Sequence, residues 1–291
     1  MNSRSIIGVA TPRKEGRDKV AGRARYIDDL NFPNMLHGTT VRSCIPRGRI
    51  KQIQFGPEVE WNEFVVVSAK DIPGANTIAL IENDQPCLAD GNVNHQEEPI
   101  VLLAHPKRHA LPKAVAAVSL QYEPLPAIFT IEESERKAEV IWGSDNVFKS
   151  YLIEKGDVDK AWAEADYIVE GEYFTGAQEQ LYIETQGMIA AFDADRGVTV
   201  WGSMQCPYYV QKGLMALFAL PEDKVRVVQT ETGGAFGGKE EYPSVIAAHA
   251  ALLAMKSGRP VKMIYDRAED MAATTKRHPS RTRDRTAVTR A

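Results

Sequence analysis

A chain of 291 residues is long enough for about two domains of ordinary size. With 44% hydrophobic and 25% charged residues it has the composition of a folded globular protein, which excludes extended disorder and fibrous repeats; a formal net charge of −4 argues against nucleic acid as the main partner. Cys44, Cys87 and Cys206 stand far apart with no C-x-x-C pair, so neither a disulfide framework nor a cysteine-ligated cluster is expected and a reducing, cytoplasmic setting fits.

Residues 1–15 form a polar lead without a long apolar core, and no run approaches the ~18 apolar residues of a membrane span, so neither export nor membrane insertion is expected. From residue 17 to about 130, short apolar runs such as 64–67 and 100–103 alternate with turn signals such as Asp71-Ile72-Pro73-Gly74, which predicts mixed strands and helices. Pro112 opens a short predicted helix running to Val118, and residues 119–122 read as a strand. The charged stretch 132–137 reads as a linker, which places a domain boundary within residues 132–148. Beyond it, Asp157 or Asp159 is a candidate cap for a helix over 160–165. Strands of a half-buried sheet are predicted at 167–174, 187–192 and 198–201, the last two separated by a turn at 193–197. A helix over 207–218, a strand over 224–229, an alanine-rich helix over 243–256 ended by Ser257-Gly258, and a strand over 261–265 follow.

Between the valine-rich strand and the alanine-rich helix lies Glu231-Thr232-Gly233-Gly234-Ala235-Phe236-Gly237-Gly238-Lys239-Glu240-Glu241. Four glycines here imply positive φ angles or close approach of a ligand to the backbone, and a nest of N–H groups ahead of a helix suits oxygen atoms carrying negative charge. Gly233-x-x-x-x-Gly238-Lys239 has the spacing of a nucleotide-binding P-loop, but Glu240 stands where that loop requires Ser or Thr. A tight strand-to-helix turn without any ligand is the plainer alternative.

The segment Gly233 to Glu240 resembles the glycine-rich loop of the xanthine dehydrogenase and aldehyde oxidase family, which contacts the molybdopterin cofactor. Three further segments, in the matching order, are similar to signatures of that family: Gly16-Arg17-Asp18-Lys19-Val20-Ala21-Gly22-Arg23 to Asp29 with Met35-Leu36-His37-Gly38; Gln178-Glu179-Gln180-Leu181-Tyr182-Ile183-Glu184-Thr185; and Tyr265-Asp266-Arg267-Ala268-Glu269-Asp270-Met271 with Arg277-His278-Pro279. The sequence departs from the family at Cys44 to Gly48, at Gln180, where histidine is common, and at Asn94 to Pro99.

The resemblance implies an α+β fold, with an α/β-hammerhead domain over residues 16–135 followed by the first part of a molybdopterin-binding domain over 145–291. It implies molybdopterin as cofactor, as such or in the cytosine dinucleotide form, with no side chain ligating the metal. Gln205 is then the catalytic hydrogen-bond donor to a molybdenum ligand, and the backbone of Gly234, Ala235, Phe236, Gly237 and Gly238 joins it in holding the cofactor. An amide suits that task because it donates without titrating; its alternative is to cap the helix beginning at Pro207. Glu240 is the expected substrate-binding residue, with a helix-start carboxylate as its alternative. His105 and His109 lack a third ligand for a zinc site, and Arg281, Arg283 and Arg285 alternate as on one face of a strand, solvated or facing another subunit.

The implied activity is an oxidoreductase subunit that hydroxylates a purine or other N-heterocycle with water as oxygen source; the alternatives are an aldehyde oxidoreductase subunit and an inert truncated fragment or assembly module without cofactor. The family's glutamate general base is expected downstream of residue 291, so the catalyst is expected to be completed by a second molybdenum-subunit chain or a C-terminal part. Iron–sulfur and FAD subunits are the expected electron-transfer partners, with neither nucleic acid nor membrane involved.

Overall fold

A computed structural model describes residues 7–78 and 84–290; the first six residues of the polar lead lie outside them. The first half contributes α1 (Gly16–Val20), β1 (Leu36–Arg42), β2 (Gly48–Phe55), β3 (Val65–Val67), β4 (Asn92–Val93), β5 (Pro99–His105), α2 (Leu111–Ala116) and β6 (Val118–Pro124). After α3 (Ile131–Glu135) and α4 (Val158–Ala163) come β7 (Tyr167–Thr175), β8 (Gly187–Asp193), β9 (Gly197–Gly202), α5 (Pro207–Phe218), β10 (Val225–Gln229), α6 (Pro243–Ser257), β11 (Val261–Ile264), α7 (Arg267–Ala273) and β12 (Ser280–Val288).

A seven-stranded sheet in the order β10-β9-β8-β11-β1-β5-β3 draws on both halves of the sequence. The halves meet where β1 pairs parallel to β11, Leu36 opposite Val261. The continuous apolar run of β5 is explained by burial on both faces: Leu102 and Ala104 enter the core beneath α6, whereas Val101 and Leu103 enter a second core with Ile50 and Ile53 of the small β4-β2-β6 sheet.

Helix α6 is apolar all round because it is enclosed all round: every residue from Pro243 to Ala254 is buried. Pro243 starts it, and Gly258, at φ 64°, ends it in the left-handed conformation that a Cβ disfavours. Alongside it α5 buries the stripe Val210, Gly213, Leu214, Leu217 and Phe218, at helical spacing.

Within α6, His249 Nε2 donates to the Cys87 carbonyl (3.0 Å) while its Nδ1 has no partner among the described residues, and burial pushes its pKa down to about 3. The unfolded chain, titrating near 6.5, therefore takes up this proton first, and stability falls as pH drops below about 6.5, by about 1.4 kcal/mol per unit until the folded pKa is reached. Thermal midpoints measured from pH 7 to pH 5 should decline, and His249→Gln should flatten that decline; an equal decline in the variant would place the acid-sensitive group elsewhere.

Four expectations are corrected. Helix α2 ends at Ala116, because the β-branched Val118 pairs with Phe55 in the small sheet. Part of the expected linker at 132–137 is helix α3, started by a capping box in which Glu133 N donates to Thr130 Oγ1 (3.1 Å) and Thr130 N to Glu133 Oε2 (3.2 Å). The helix expected over 160–165 starts earlier, at Val158, capped by Asp157, whose side chain accepts from Lys160 N (2.9 Å). Among the described residues strand β7 does not join β8 and β9 but pairs with β12 alone, in a two-stranded ribbon whose residues are largely exposed.

Candidate functional site

The glycine loop joins β10 to α6, and each of its glycines has a local cause. Gly234 (φ 102°) and Gly237 (φ 93°) adopt angles that side chains resist. At Gly233 a Cβ would lie 2.5 Å from Cβ of Glu184, and at Gly238 2.3 Å from the Tyr182 ring, so these two admit no side chain. Phe236 is also left-handed (φ 52°) and is 79% exposed, a strained aromatic displayed to solvent. Gly238 N–H is bound by the Ala235 carbonyl (2.8 Å) and Gly233 N–H by Glu184 Oε2 (2.8 Å). The N–H groups of Gly234, Ala235 and Phe236 find no acceptor among the described residues.

Gln205 reaches this loop from the β9–α5 junction. Its backbone N donates to the Lys239 carbonyl (2.7 Å), and its Oε1 accepts from Gly237 N (3.0 Å) and Lys239 N (3.4 Å). The carbonyl end is thus turned to the protein, while the Nε2 donor has no partner among the described residues. No side chain caps α5, whose N-cap is Cys206.

Beneath the loop lies a polar network that motif reading did not reveal. Lys239 is fully buried; its ammonium donates to Glu184 Oε2 (2.7 Å) and Ser203 Oγ (3.0 Å) and sits 4.9 Å from the Tyr182 ring centre. Burial lowers its pKa, opposed by the Glu184 carboxylate. A lysine so enclosed cannot reach a phosphate on the loop, which removes the P-loop alternative along with Glu240. Asp270, also fully buried, accepts from Tyr182 Oη (2.8 Å) and Gln186 N (2.6 Å), and Gln186 Nε2 donates to Tyr182 Oη (2.9 Å) and the Gly238 carbonyl (2.7 Å). Arg267 Nη2 donates to the carbonyls of Tyr182 (2.6 Å) and Ile183 (2.8 Å). The segments 178–185 and 265–271 therefore meet under the glycine loop and carry it.

Glu240 is exposed on the loop ahead of α6 and outside its first turn; the Cys206 thiol approaches it at 3.9 Å. Burial and the Glu240 carboxylate push the Cys206 thiol up, and the same two causes raise Glu241. Gln205, Cys206 and Glu240 thus adjoin the glycine loop. His105 ends β5 and His109 lies in the following 3-10 turn, so they share no helix face, and among the described residues no group of three or more metal-ligating side chains forms. Arg281 and Arg283 share Glu172 (2.6 and 2.8 Å) and Arg285 pairs with Glu170 (2.6 Å), so the three alternating arginines are paired within the β7–β12 ribbon.

Residues 143–291 match the family described as the molybdopterin cofactor-binding domain, and residues 21–126 the aldehyde oxidase and xanthine dehydrogenase a/b hammerhead domain. The chain belongs to the aldehyde oxidase and xanthine dehydrogenase family of molybdopterin-binding proteins, with the α+β fold of hammerhead and molybdopterin-binding domains.

It is 32% identical to the nicotinate dehydrogenase large molybdopterin subunit of Eubacterium barkeri over 98% of this chain and 67% of that one. It is 34% identical to a probable xanthine dehydrogenase subunit of Bacillus subtilis over 92% and 36%, and 34% identical to the indole-3-acetaldehyde oxidase of Arabidopsis thaliana over 90% and 20%. The chain thus spans between a fifth and two thirds of these relatives. In fold it is similar to the aldehyde oxidoreductase of Desulfovibrio desulfuricans (TM-score 0.86, 24% identity, 98% of this chain and 33% of that one). It is also similar to quinoline 2-oxidoreductase of Pseudomonas putida (TM-score 0.81, 24% identity, 97% and 37%). Among the described residues no helix is long and apolar enough to cross a membrane.

Proposed function

We propose that this chain supplies the cofactor-holding part of a molybdenum hydroxylase that acts in the cytoplasm on a purine or other N-heterocycle, completed by further polypeptide that brings the general base and by iron–sulfur and FAD subunits. The observation that carries this reading is the set of donors left unused around one loop: the amides of Gly234, Ala235 and Phe236 and the Nε2 of Gln205. Three consecutive amides with no acceptor among the described residues, the middle one on the buried Ala235, form a concentration of donors that fits the oxygen-rich, anionic molybdopterin. When bound, that cofactor supplies the two-electron redox centre for transfer of a water-derived oxygen to carbon.

The chain's own residues then divide the work. Gly234, Ala235 and Phe236 hold the cofactor by backbone donors; Gly237 and Gly238, expected to join them, adjoin the cofactor while their own N–H groups are spent on Gln205 Oε1 and the Ala235 carbonyl and keep the loop in shape. Gln205 aims one neutral donor at the reacting end, where developing negative charge on oxygen makes a preorganised hydrogen bond count most. Division into residues 16–135 and 145–291 is part of the same proposal, supported by the family matches over 21–126 and 143–291.

A heterocycle is favoured over an aldehyde because Glu240 places a carboxyl beside Gln205 and Cys206. The ring N–H of a heterocycle can donate to the Glu240 carboxylate and so be oriented for hydroxylation, a hydrogen bond for which a simple aldehyde offers no donor. The 32% identity to a nicotinate dehydrogenase subunit over 98% of this chain supports the heterocycle class. Glu240→Gln in the assembled enzyme should reduce kcat/KM for the heterocycle by about 1–3 kcal/mol more than for an aldehyde. Equal losses on both substrates would remove the purine assignment.

A further inference from the structure

Which interaction gives the glycine loop its shape is visible in a single carboxylate oxygen. Oε2 of Glu184 accepts from Gly233 N (2.8 Å) at the start of the loop and from Lys239 Nζ (2.7 Å) at its end. The ammonium is fully buried and uses a further donor on Ser203 Oγ (3.0 Å), so it is shielded from solvent and unavailable to a ligand in front of the loop. The loop between these anchors holds the three unpaired amides and three positive φ angles, two at glycines and a strained one at Phe236.

We infer that Glu184 and Lys239 are positioning residues: their buried ion pair is a strut that ties the two ends of the glycine loop together and so fixes the amides of Gly234, Ala235 and Phe236 in a ligand-ready arrangement. This rests on the reading that the loop holds the pterin, and it gives the Gly-Lys of the motif a role behind the loop instead of on a phosphate. A buried pair contributes little net stability against an apolar replacement of both members, whereas loss of one member strands the other charge. Stability and loop order therefore separate in the double variant, where a purely structural pair would not separate them.

The test compares the full chain, with whatever chains purify with it, as wild type, Lys239→Met, and Glu184→Gln with Lys239→Met. Hydrogen exchange is followed in peptides covering residues 231–241, together with the thermal midpoint and pterin content. The single variant should lose thermal stability. The double variant should recover most of it yet exchange at the Gly233, Gly237, Gly238 and Lys239 amides at least tenfold faster, with pterin retention down at least tenfold. Wild-type exchange rates in the double variant would overturn the strut. Faster exchange with no pterin in the wild type would uphold the strut and overturn the cofactor reading. If the double variant fails to fold, Glu184→Gln with Lys239→Gln carries the same comparison, since it too removes both charges and strands neither.

Discussion

Gln205→Ala in the assembled enzyme is expected to lower kcat by about 10²–10³, the scale of losing one transition-state hydrogen-bond donor. The side chain has two ends with different duties: Oε1 is engaged by the amides of Gly237 and Lys239, while Nε2 has no partner among the described residues. Alanine removes both, so a second variant is needed to divide them. Gln205→Glu keeps an acceptor for the loop amides and removes the donor; if donation is the catalytic duty, it should lose about as much kcat as alanine, with cofactor content retained. A glutamate variant at wild-type kcat would leave Gln205 with loop support alone. Steady-state kinetics normalised to bound molybdenum measures both.

Asp270→Ala is expected to destabilise the fold by about 2–6 kcal/mol, because it strands two buried donors at roughly 1–3 kcal/mol each. Those donors are the Tyr182 hydroxyl (2.8 Å) and the Gln186 amide (2.6 Å), and Thr274 Oγ1 also donates to the Asp270 carbonyl. Through Gln186, which donates to the Gly238 carbonyl, the loss also reaches the glycine loop. Urea unfolding, read as a shift in midpoint at constant slope, measures the effect. A change within about 0.5 kcal/mol, the range of ordinary surface substitutions, would show that the network is dispensable to the fold.

Helices α5 and α6 were legible because their ends are written in short-range chemistry, Pro207 and Pro243 at the starts and Gly258 at a stop, with a largely apolar pattern between; α7, short and charged, was not read. The turn at Asp193 was legible for the same reason. Helix α3 was missed although Thr130 and Glu133 stand at capping-box spacing, since a charged exterior gave no apolar period to prompt the reading. Strand pairing was not legible. That β1 lies beside β11, and β7 beside β12 instead of β8, depends on which faces the whole chain can bury, which no local window contains.

The site divided along the same line. The loop was marked by its run of glycines, whereas Gln205 and Glu240 were marked by resemblance alone. The support beneath them was not. Tyr182 and Asp270 are 88 positions apart, and Lys239 and Glu184 are 55 apart. In sequence, Lys239 after Gly238 even suggests a phosphate ligand; only its complete burial against Glu184 and Ser203 assigns it to the scaffold.

The most direct test of the cofactor site is chemical: the protein is purified from its native host with its associated chains, and molybdenum is quantified by mass spectrometry beside pterin released from the same sample. The expected result is equimolar molybdenum and pterin per copy of this chain, with both sharply reduced in Gly237→Val, where a β-branched side chain is forced onto a φ of 93° in the loop. Absence of both from the wild-type protein, or full retention of both in the Gly237 variant, would contradict the assignment of the glycine loop as the pterin cradle.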